Sequence, residues 1–593
     1  MAVSDGQPSG SGIDAITLEV VQNGLSSLVD EMALTVMRTA YSGVVKDALD
    51  YSTAFCDRKG EMIAQGLTIV AHLGSFPSAV NSVLRKYEGR IFPEDMFILN
   101  DPYGSGGIHL PDIYVLKPVF IDGELEGFSC VVAHHTDVGG IVAGSNSTSS
   151  AEIYQEGINI PTLKLYERGV PNEAIFQILE KNVRVPVKVL GDLRAEITAA
   201  ILGEREYLAL AARYGAAEMR RYTDELLDLS ERMAREEIRS LPDGVYEHTS
   251  WVDGDGVLSE PVTIHATVTI RGDHIKVDFG GSSPQVRAGI NSPLAFTRSS
   301  ARGAVRMVMD PSIPNSAGYF RAIEVKGPEA SVVNPVLPAP CGARGITGFR
   351  IIDCVLGALA KAVPGRVPAD GEGGNTIFSI GGYDSRFQPY VYVDLFSGAR
   401  GGGPWGDGVE GVPHGMANIA NTPAEMIEVE LPLRVEEYAI VPDTGGAGRH
   451  RGAMAQARQV RLLAEDASLE IRSDKRAHRP FGLNGGKLGS PSFNLLNPGT
   501  ENERVLPTLA GARLRRGDVV RHVMAGGGGW GDPLERDPEQ VRRDVRNEKL
   551  SLEQARQEYG VMIDAASLSL DEAATEELRS RMRGAGEQGG ETG

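Results

Sequence analysis

The chain has 593 residues, 41% of them hydrophobic, and carries 59 Lys and Arg against 79 Asp and Glu, a formal net charge of −20. That length supports two to four domains with real cores, and the acidity excludes non-specific nucleic-acid binding, because a phosphate backbone would be repelled. No apolar run reaches membrane-spanning length, and residues 1–12 lack the basic start and apolar stretch of a signal peptide, so a cytoplasmic protein with a disordered tail at 1–12 is expected.

In chain order, Ile13 to Ala40 has apolar residues at helical spacing, with Asp14 placed to cap its start. Asp50 to Phe55 and Met62 to Ala64 read as a hairpin turning through Asp57 to Gly60. A helix follows over Ser78 to Tyr87, with Pro77 at an early position, and Met96 to Leu99 is a short strand. Asp101 suits a cap on the turn at Pro102. Two Val- and Ile-rich runs, Ile113 to Ile121 and Phe128 to Ala133, flank Asp122-Gly123, a strong hairpin signal. Asn172 to Asn182 is helical, and Leu190 to Leu241 is a helical pair broken near Tyr214-Gly215.

Beyond Pro242-Asp243-Gly244 strands dominate, beginning with Val262 to Ile270 and Ile275 to Phe279. One helix, Gly348 to Ala362, interrupts this half. Glycine clusters at 371–374, 401–403, 445–448 and 526–529 read as turns. Charged helices at Pro538 to Gly560 and Asp571 to Arg583 precede a frayed end. The expected fold is therefore multidomain α+β: a mixed α/β domain with long helices at 13–241, a β-rich, Gly-rich domain at 242–530, and a helical segment with a disordered end at 531–593.

The chemistry concentrates at the ends of the central hairpin. His109 and Asp112 stand at one end and His134, His135 and Asp137 at the other, with Glu156 the next carboxylate along. A hairpin returns its outer ends to one place, and converging imidazole and carboxylate groups make a nitrogen/oxygen metal site. The same residues also fit a polar rim on a buried hairpin, so spacing alone leaves both readings open. The four cysteines, Cys56, Cys130, Cys341 and Cys354, have no C-x-x-C spacing and suit a reducing compartment.

Nucleotide and nucleophile motifs are missing. Gly486-Lys487 is followed by Leu488 rather than Ser or Thr, and Gly446-Ala447-Gly448 finds its next glycine at Gly452, one place too late. There is no G-x-S-x-G elbow, and Cys341 has no neighbour in sequence that would activate it. ATP chemistry, if involved, is expected on another chain.

Across nearly the whole length the sequence resembles the B subunits of the hydantoinase/oxoprolinase family, with related acetone and acetophenone carboxylases. The resemblance is carried by Leu99 to Tyr103, Gly107 to Asp112, Ala133 to Gly140, Ile153 to Gly157, Gly191 to Leu193, Leu241 to Gly244 and Gly531 to Pro538. It implies a metal held by His109, Asp112 and His134, zinc first with manganese or iron also compatible. It implies that His135, Asp137 or Glu156 takes a proton or orients the ligands. It also implies an actin-like A-type partner subunit that carries ATP and magnesium, a hetero-oligomer, and a small cyclic amide as substrate. Ketone carboxylation and a non-catalytic scaffold role are the alternatives. One departure stands out: where family members commonly have Gly-Asn-x-Glu-Thr, this chain has Cys341 to Thr347, CGARGIT.

Overall fold

The computed structural model describes residues 13–66, 69–256, 260–373, 376–413 and 415–589; the tail expected at 1–12, Gly374 and residues 590–593 lie outside them. Helix α1 (Ala15–Thr39) starts where the Asp14 side chain accepts from the Thr17 amide at 2.9 Å, the cap expected. Its buried residues, among them Leu25, Leu28, Val29, Met32 and Val36, recur every three or four positions as one stripe. A short α2 (Gly43–Lys46) leads into β1 (Tyr51–Asp57) and β2 (Met62–Gln65), then α3 (Val70–Leu73), α4 (Phe76–Lys86) and β3 (Met96–Leu99).

The central hairpin is β4 (Asp112–Ile121) and β5 (Glu124–His134). Asp122 and Gly123 between them take φ of 52° and 83°, the two left-handed residues that a type I′ turn requires. With β6 (Leu163–Glu167) and β7 (Val170–Pro171) these strands form an antiparallel sheet ordered β2-β1-β5-β4-β3-β6-β7. After α5 (Glu173–Asn182) come the two long helices α6 (Pro186–Tyr214) and α7 (Ala216–Arg239), broken at Gly215, whose φ of 86° ends the first.

Strand β1 is buried along its whole length, so both sheet faces are covered and strand alternation decides which face each residue joins. Thr53 bonds the Val29 carbonyl of α1, and Phe55 stacks on Tyr207 of α6 at 4.4 Å. Ser52 points the other way, to the Ile69 carbonyl and His72 of α3.

The second half opens with β8 (Gly244–Val252), β9 (Val262–Arg271) and β10 (His274–Asp278), joined by β11 (Ile323–Lys326) in the order β11-β10-β9-β8. This half holds more helix than the single one expected. Besides α10 (Gly345–Ala362), it contains α8 (Leu294–Arg306), α9 (Ala317–Phe320) and α11 (Ala424–Glu430). Helix α8 escapes a search for large apolar residues because its buried side is mostly small: Thr297, Ser299, Ser300, Ala301, Gly303 and Ala304. Smallness there serves close packing, since a Cβ on Gly303 would stand 2.0 Å from the Met416 sulfur.

Two further sheets face each other across one hydrophobic cluster. One holds β12 (Thr376–Tyr383), β13 (Pro389–Phe396), β16 (Asp466–Arg472) and β19 (Leu509–Arg515). The other holds β14 (Leu433–Val441), β15 (Ala455–Leu462), β17 (Phe493–Leu496), β18 (Arg504–Leu506) and β20 (Val519–Val523). The glycines at 526–529 are not a turn, contrary to expectation. They thread between neighbouring backbones, where an added Cβ would meet the carbonyls of Thr444, Arg400, Phe481 and Ala447 at 1.9–2.2 Å. Glycine is required there by proximity. Helices α12 (Pro538–Arg546), α13 (Leu552–Tyr559) and α14 (Glu572–Gly589) close the chain, so the last helix runs past the Arg583 at which fraying was expected. No helix among the described residues is long and apolar enough to cross a membrane.

Candidate metal centre

Antiparallel register places Asp112, first residue of β4, opposite His134, last of β5. Cross-strand partners share a face, and this is the face of Ser52 and α3. His109 joins from the preceding loop, which Asn100 holds by donating to the Leu110 carbonyl at 2.7 Å and accepting from the Ile160 amide at 2.6 Å. Asp101 braces the loop's start by accepting from the Tyr103 and Gly104 amides, the structural role expected of it. His109, Asp112 and His134 each offer one ligand atom within 4.8 Å of the others, and all three are buried.

Their unpaired atoms fit a cation. Nδ1 of His109 lies 3.1 Å from the Gly342 carbonyl, an acceptor only, so the ring proton sits there and Nε2 keeps its lone pair. That Nε2 faces Asp112 Oδ1 at 3.0 Å, and among the described residues neither atom has a hydrogen-bond partner. Both ring nitrogens of His134 are likewise buried and unpartnered. Burial, then the Arg344 charge, brings His109 down to about 4, and burial holds His134 well below its ordinary value, so both imidazoles are neutral. Burial alone would raise Asp112, but His109, Arg344 and His72 hold it well below the carboxylate range; of these, Arg344 is the lasting charge. Two neutral imidazoles and one carboxylate, set to accept and given nothing to accept, are the donor set of a divalent transition metal with open positions. Ligands about 2.1 Å from a shared ion stand about 3–3.5 Å apart, a spacing the His109–Asp112 pair already has.

Other groups crowd the triad. Arg344, just before α10, pairs with Asp112 and lies over the Phe296 ring at 4.3 Å. It belongs to the segment that departs from the common family pattern, so that departure forms a wall of the site. Nε2 of His72 stands 3.8 Å from Asp112 and 3.7 Å from Asp50, whose carboxyl burial and Asp112 push up to about 7. Arg472, at the end of β16, donates to Gly342 O at 3.1 Å and Asn146 Oδ1 at 3.0 Å.

The remaining candidates make their hydrogen bonds elsewhere, though Nδ1 of His135 is buried without a partner among the described residues. His135 follows His134 on the strand path and so points to the opposite face, where Nε2 meets Glu196 of α6 at 2.9 Å. Burial opposes its charge, but Glu196 outweighs burial and raises it. Asp137 accepts from the Gly139 and Gly144 amides and pairs with Arg184 at 2.8 Å, fixing the loop after β5. Glu156 accepts from the Cys341 and Gly342 amides at 3.0 and 2.7 Å, and so reaches the triad through the Gly342 carbonyl that holds His109.

Sequence reasoning did not connect Asp50, His72, Arg344 or Arg472 to the site. Only Asp50 left a signal: it precedes a strand whose first residue, Tyr51, pairs with Ala133 beside His134.

The Hydantoinase B/oxoprolinase family model matches residues 14–533. The putative D-/L-hydantoinase B-type subunit of Pseudomonas sp. (strain NS671) is 33% identical over 96% of this chain and 98% of its own length. The beta chain of the caprolactamase of Pseudomonas jessenii is 34% identical over 96% and 99%. The crystal structure of the ATP-dependent caprolactamase from that organism superposes with a TM-score of 0.88 at 32% identity, over 96% of this chain and 100% of the matched one. An acetone carboxylase structure shares the fold, with a TM-score of 0.88 at 19% identity over 96% of this chain and 83% of its own. Matched by the family model over most of its length and by these relatives end to end, the chain belongs to the hydantoinase B/oxoprolinase family.

Proposed function

We propose that this chain is the ring-opening subunit of an ATP-dependent cyclic-amide hydrolase, working with an actin-like subunit that binds ATP and magnesium. The observation that carries the reading is the buried triad His109, Asp112 and His134, whose facing lone pairs have no donor among the described residues. A divalent metal there, zinc foremost, supplies Lewis acidity and lowers the pKa of water toward neutrality. Ring amides are weak electrophiles, and phosphorylation of the carbonyl oxygen on the partner subunit makes them strong ones.

This chain's residues do the positioning. Gly342 O keeps the His109 proton on Nδ1, so that Nε2 faces the reaction centre. Arg344 keeps Asp112 ionised. Asp50, pushed up to about 7, is able to hold or release a proton near neutral pH beside His72. Glu156 holds the turn that presents the Gly342 carbonyl, and His135 and Asp137 fix the strand end and the loop after it.

Elemental analysis tests the reading. Wild-type protein should carry about one transition-metal ion per chain, and His109→Ala or His134→Ala should lose it. Equal metal in all three would overturn the assignment. The isolated chain should also bind no ATP by calorimetry and should co-purify with its actin-like partner when the two are co-expressed.

A further inference from the structure

Although the chain is strongly acidic, two guanidinium groups are buried beside the triad with their bonding incomplete. Among the described residues Arg472 donates only to neutral oxygens, those of Asn146 and Gly342, and its Nε has no partner. Arg344 spends Nη2 on Asp112 and rests on Phe296, yet its Nε is also unpartnered. The Gly342 carbonyl receives both Arg472 and His109, which places the Arg472 guanidinium one oxygen away from a triad imidazole. The Asp50 and Asp112 charges act on Arg472 without a direct ion pair among the described residues. A buried guanidinium left so is costly, a cost that persists where a ligand completes the pairing.

We propose that Arg344 and Arg472 form an anion subsite beside the triad that takes the phosphoryl group of the activated substrate. This rests on the functional reading above. With a divalent ion at the triad, positive charges exceed those of Asp112 and Asp50 by two even with both carboxylates ionised, which matches a phosphoryl dianion better than a carboxylate. The geometry of guanidinium donors suits it as well, because a planar fork binds two phosphoryl oxygens at once. Asn146 holds Arg472 from the loop after β5, and Arg344 lies over the Phe296 ring, so both guanidinium planes are fixed by the fold.

The test is calorimetric titration of inorganic phosphate into the zinc-loaded full chain, with zinc measured in every sample. Wild type should bind phosphate in preference to acetate. Arg472→Gln should weaken phosphate at least ten-fold at unchanged zinc, and Arg472→Lys should recover part of the loss. If Arg472→Gln does not fold by circular dichroism, Asn146→Ala, which frees the guanidinium but keeps its charge, should weaken phosphate several-fold. No phosphate binding by wild type, or equal affinity in wild type and Arg472→Gln, overturns the proposal. His134→Ala run in parallel separates the two readings. If zinc does not depend on His134 while phosphate depends on Arg472, the metal reading fails and the subsite stands. In the converse pattern the subsite fails and the metal reading stands.

Discussion

Two clusters of charge are buried to the same depth in this molecule, and they are settled in opposite ways. Around α10 and the end of β16, Arg350 pairs with Asp353 at 2.9 Å and Asp474 at 3.4 Å, while Lys475 lies 3.2 Å from Asp353 and bonds Asp370. Each carboxylate there has a cation of the chain beside it, although Arg350 and Lys475 serve three carboxylates between them and burial pushes Asp353 up to about 6 and Asp474 up to about 8. At the triad, by contrast, an imidazole lone pair faces a carboxylate oxygen, both nitrogens of His134 are unpartnered, and Arg472 meets only neutral oxygens. Burial is costly in both places, and each keeps atoms without a hydrogen-bond partner, Arg350 Nε and Asp370 Oδ1 in the first. What sets the triad apart is that acceptor faces acceptor, with no donor between them among the described residues. Facing acceptors are what a cation would satisfy, and on the proposed reading that is the difference between the two clusters.

The sharpest way to break this contrast is to alter each cluster in turn. Asp112→Asn keeps the shape of the triad and removes its charge. It is a better probe than Asp112→Ala, which would also strand the buried Arg344 without a partner. In the complex with its partner subunit, Asp112→Asn should lower ring opening about a thousand-fold, about 4 kcal/mol of transition-state stabilisation. ATP binding and slow ATP hydrolysis should survive. Near-normal product formation by an intact complex would remove Asp112 from the site. Lys475→Met does the opposite, stripping the shared cation from Asp353 and Asp370. It should cost about 3–5 kcal/mol of stability in denaturant titrations, with metal content per folded chain unchanged. Loss of metal in Lys475→Met at full stability would erase the distinction between the clusters.

The same contrast explains what the sequence could disclose. The hairpin and its Asp-Gly turn are local facts, and two apolar runs around a turn dipeptide bring His109, Asp112 and His134 to one end. The residue-by-residue pairing is not local: the turn alone would set Asp112 opposite Ala133, and a bulge between Val119 and Phe120 shifts the register by one to His134. Adjacent histidines were harder to separate. Strand alternation sends His134 and His135 to opposite faces, and only the position of Glu196 on α6 shows which face holds the triad. Arg344 and Arg472 were not legible, because they come from segments more than 200 residues beyond the hairpin and meet it only through the packed fold. The misjudged glycines share that cause. Gly526 to Gly529 look like turn residues, but what demands them is backbone arriving from elsewhere in the chain.

Glu156 sharpens the comparison at a smaller scale, because it acts on the triad without touching it. Both its oxygens accept backbone amides of the 341–342 turn, while burial pushes the carboxyl up to about 8. Glu156→Gln turns one acceptor into a donor facing an amide, which costs about 1–3 kcal/mol, and loosens the carbonyl that orients His109. Metal affinity should fall about 10–100-fold, as for other groups that orient a ligand from behind. The readout is competition with a chelator. Unchanged affinity in a folded variant would show that the turn holds its shape without Glu156.

A third way of settling a buried charge appears at Glu470, and it supplies the smallest predicted effect. Glu470 lies on β16 two residues before Arg472, and its Oε2 accepts from the Thr148 hydroxyl at 3.2 Å. No cation of the described chain is among the causes of its shift, and burial pushes the carboxyl from 4.5 up to about 7. Here the charge is removed by a proton. Because the folded value exceeds the unfolded one, the stabilising contribution of the bound proton is complete below about pH 4.5. It is lost as the pH rises through about 7, where the folded chain must also ionise. The shift caps the effect at about 3 kcal/mol. Glu470→Gln keeps an acceptor for Thr148 and cannot ionise, so it should be spared that loss. Measured by denaturant titration, its stability relative to wild type should rise between pH 4.5 and 7 and level off above. A difference between the two proteins that stays flat across this window would mean that Glu470 is already ionised in the fold. It would then have to be counted, with the triad, among the buried charges that await a partner.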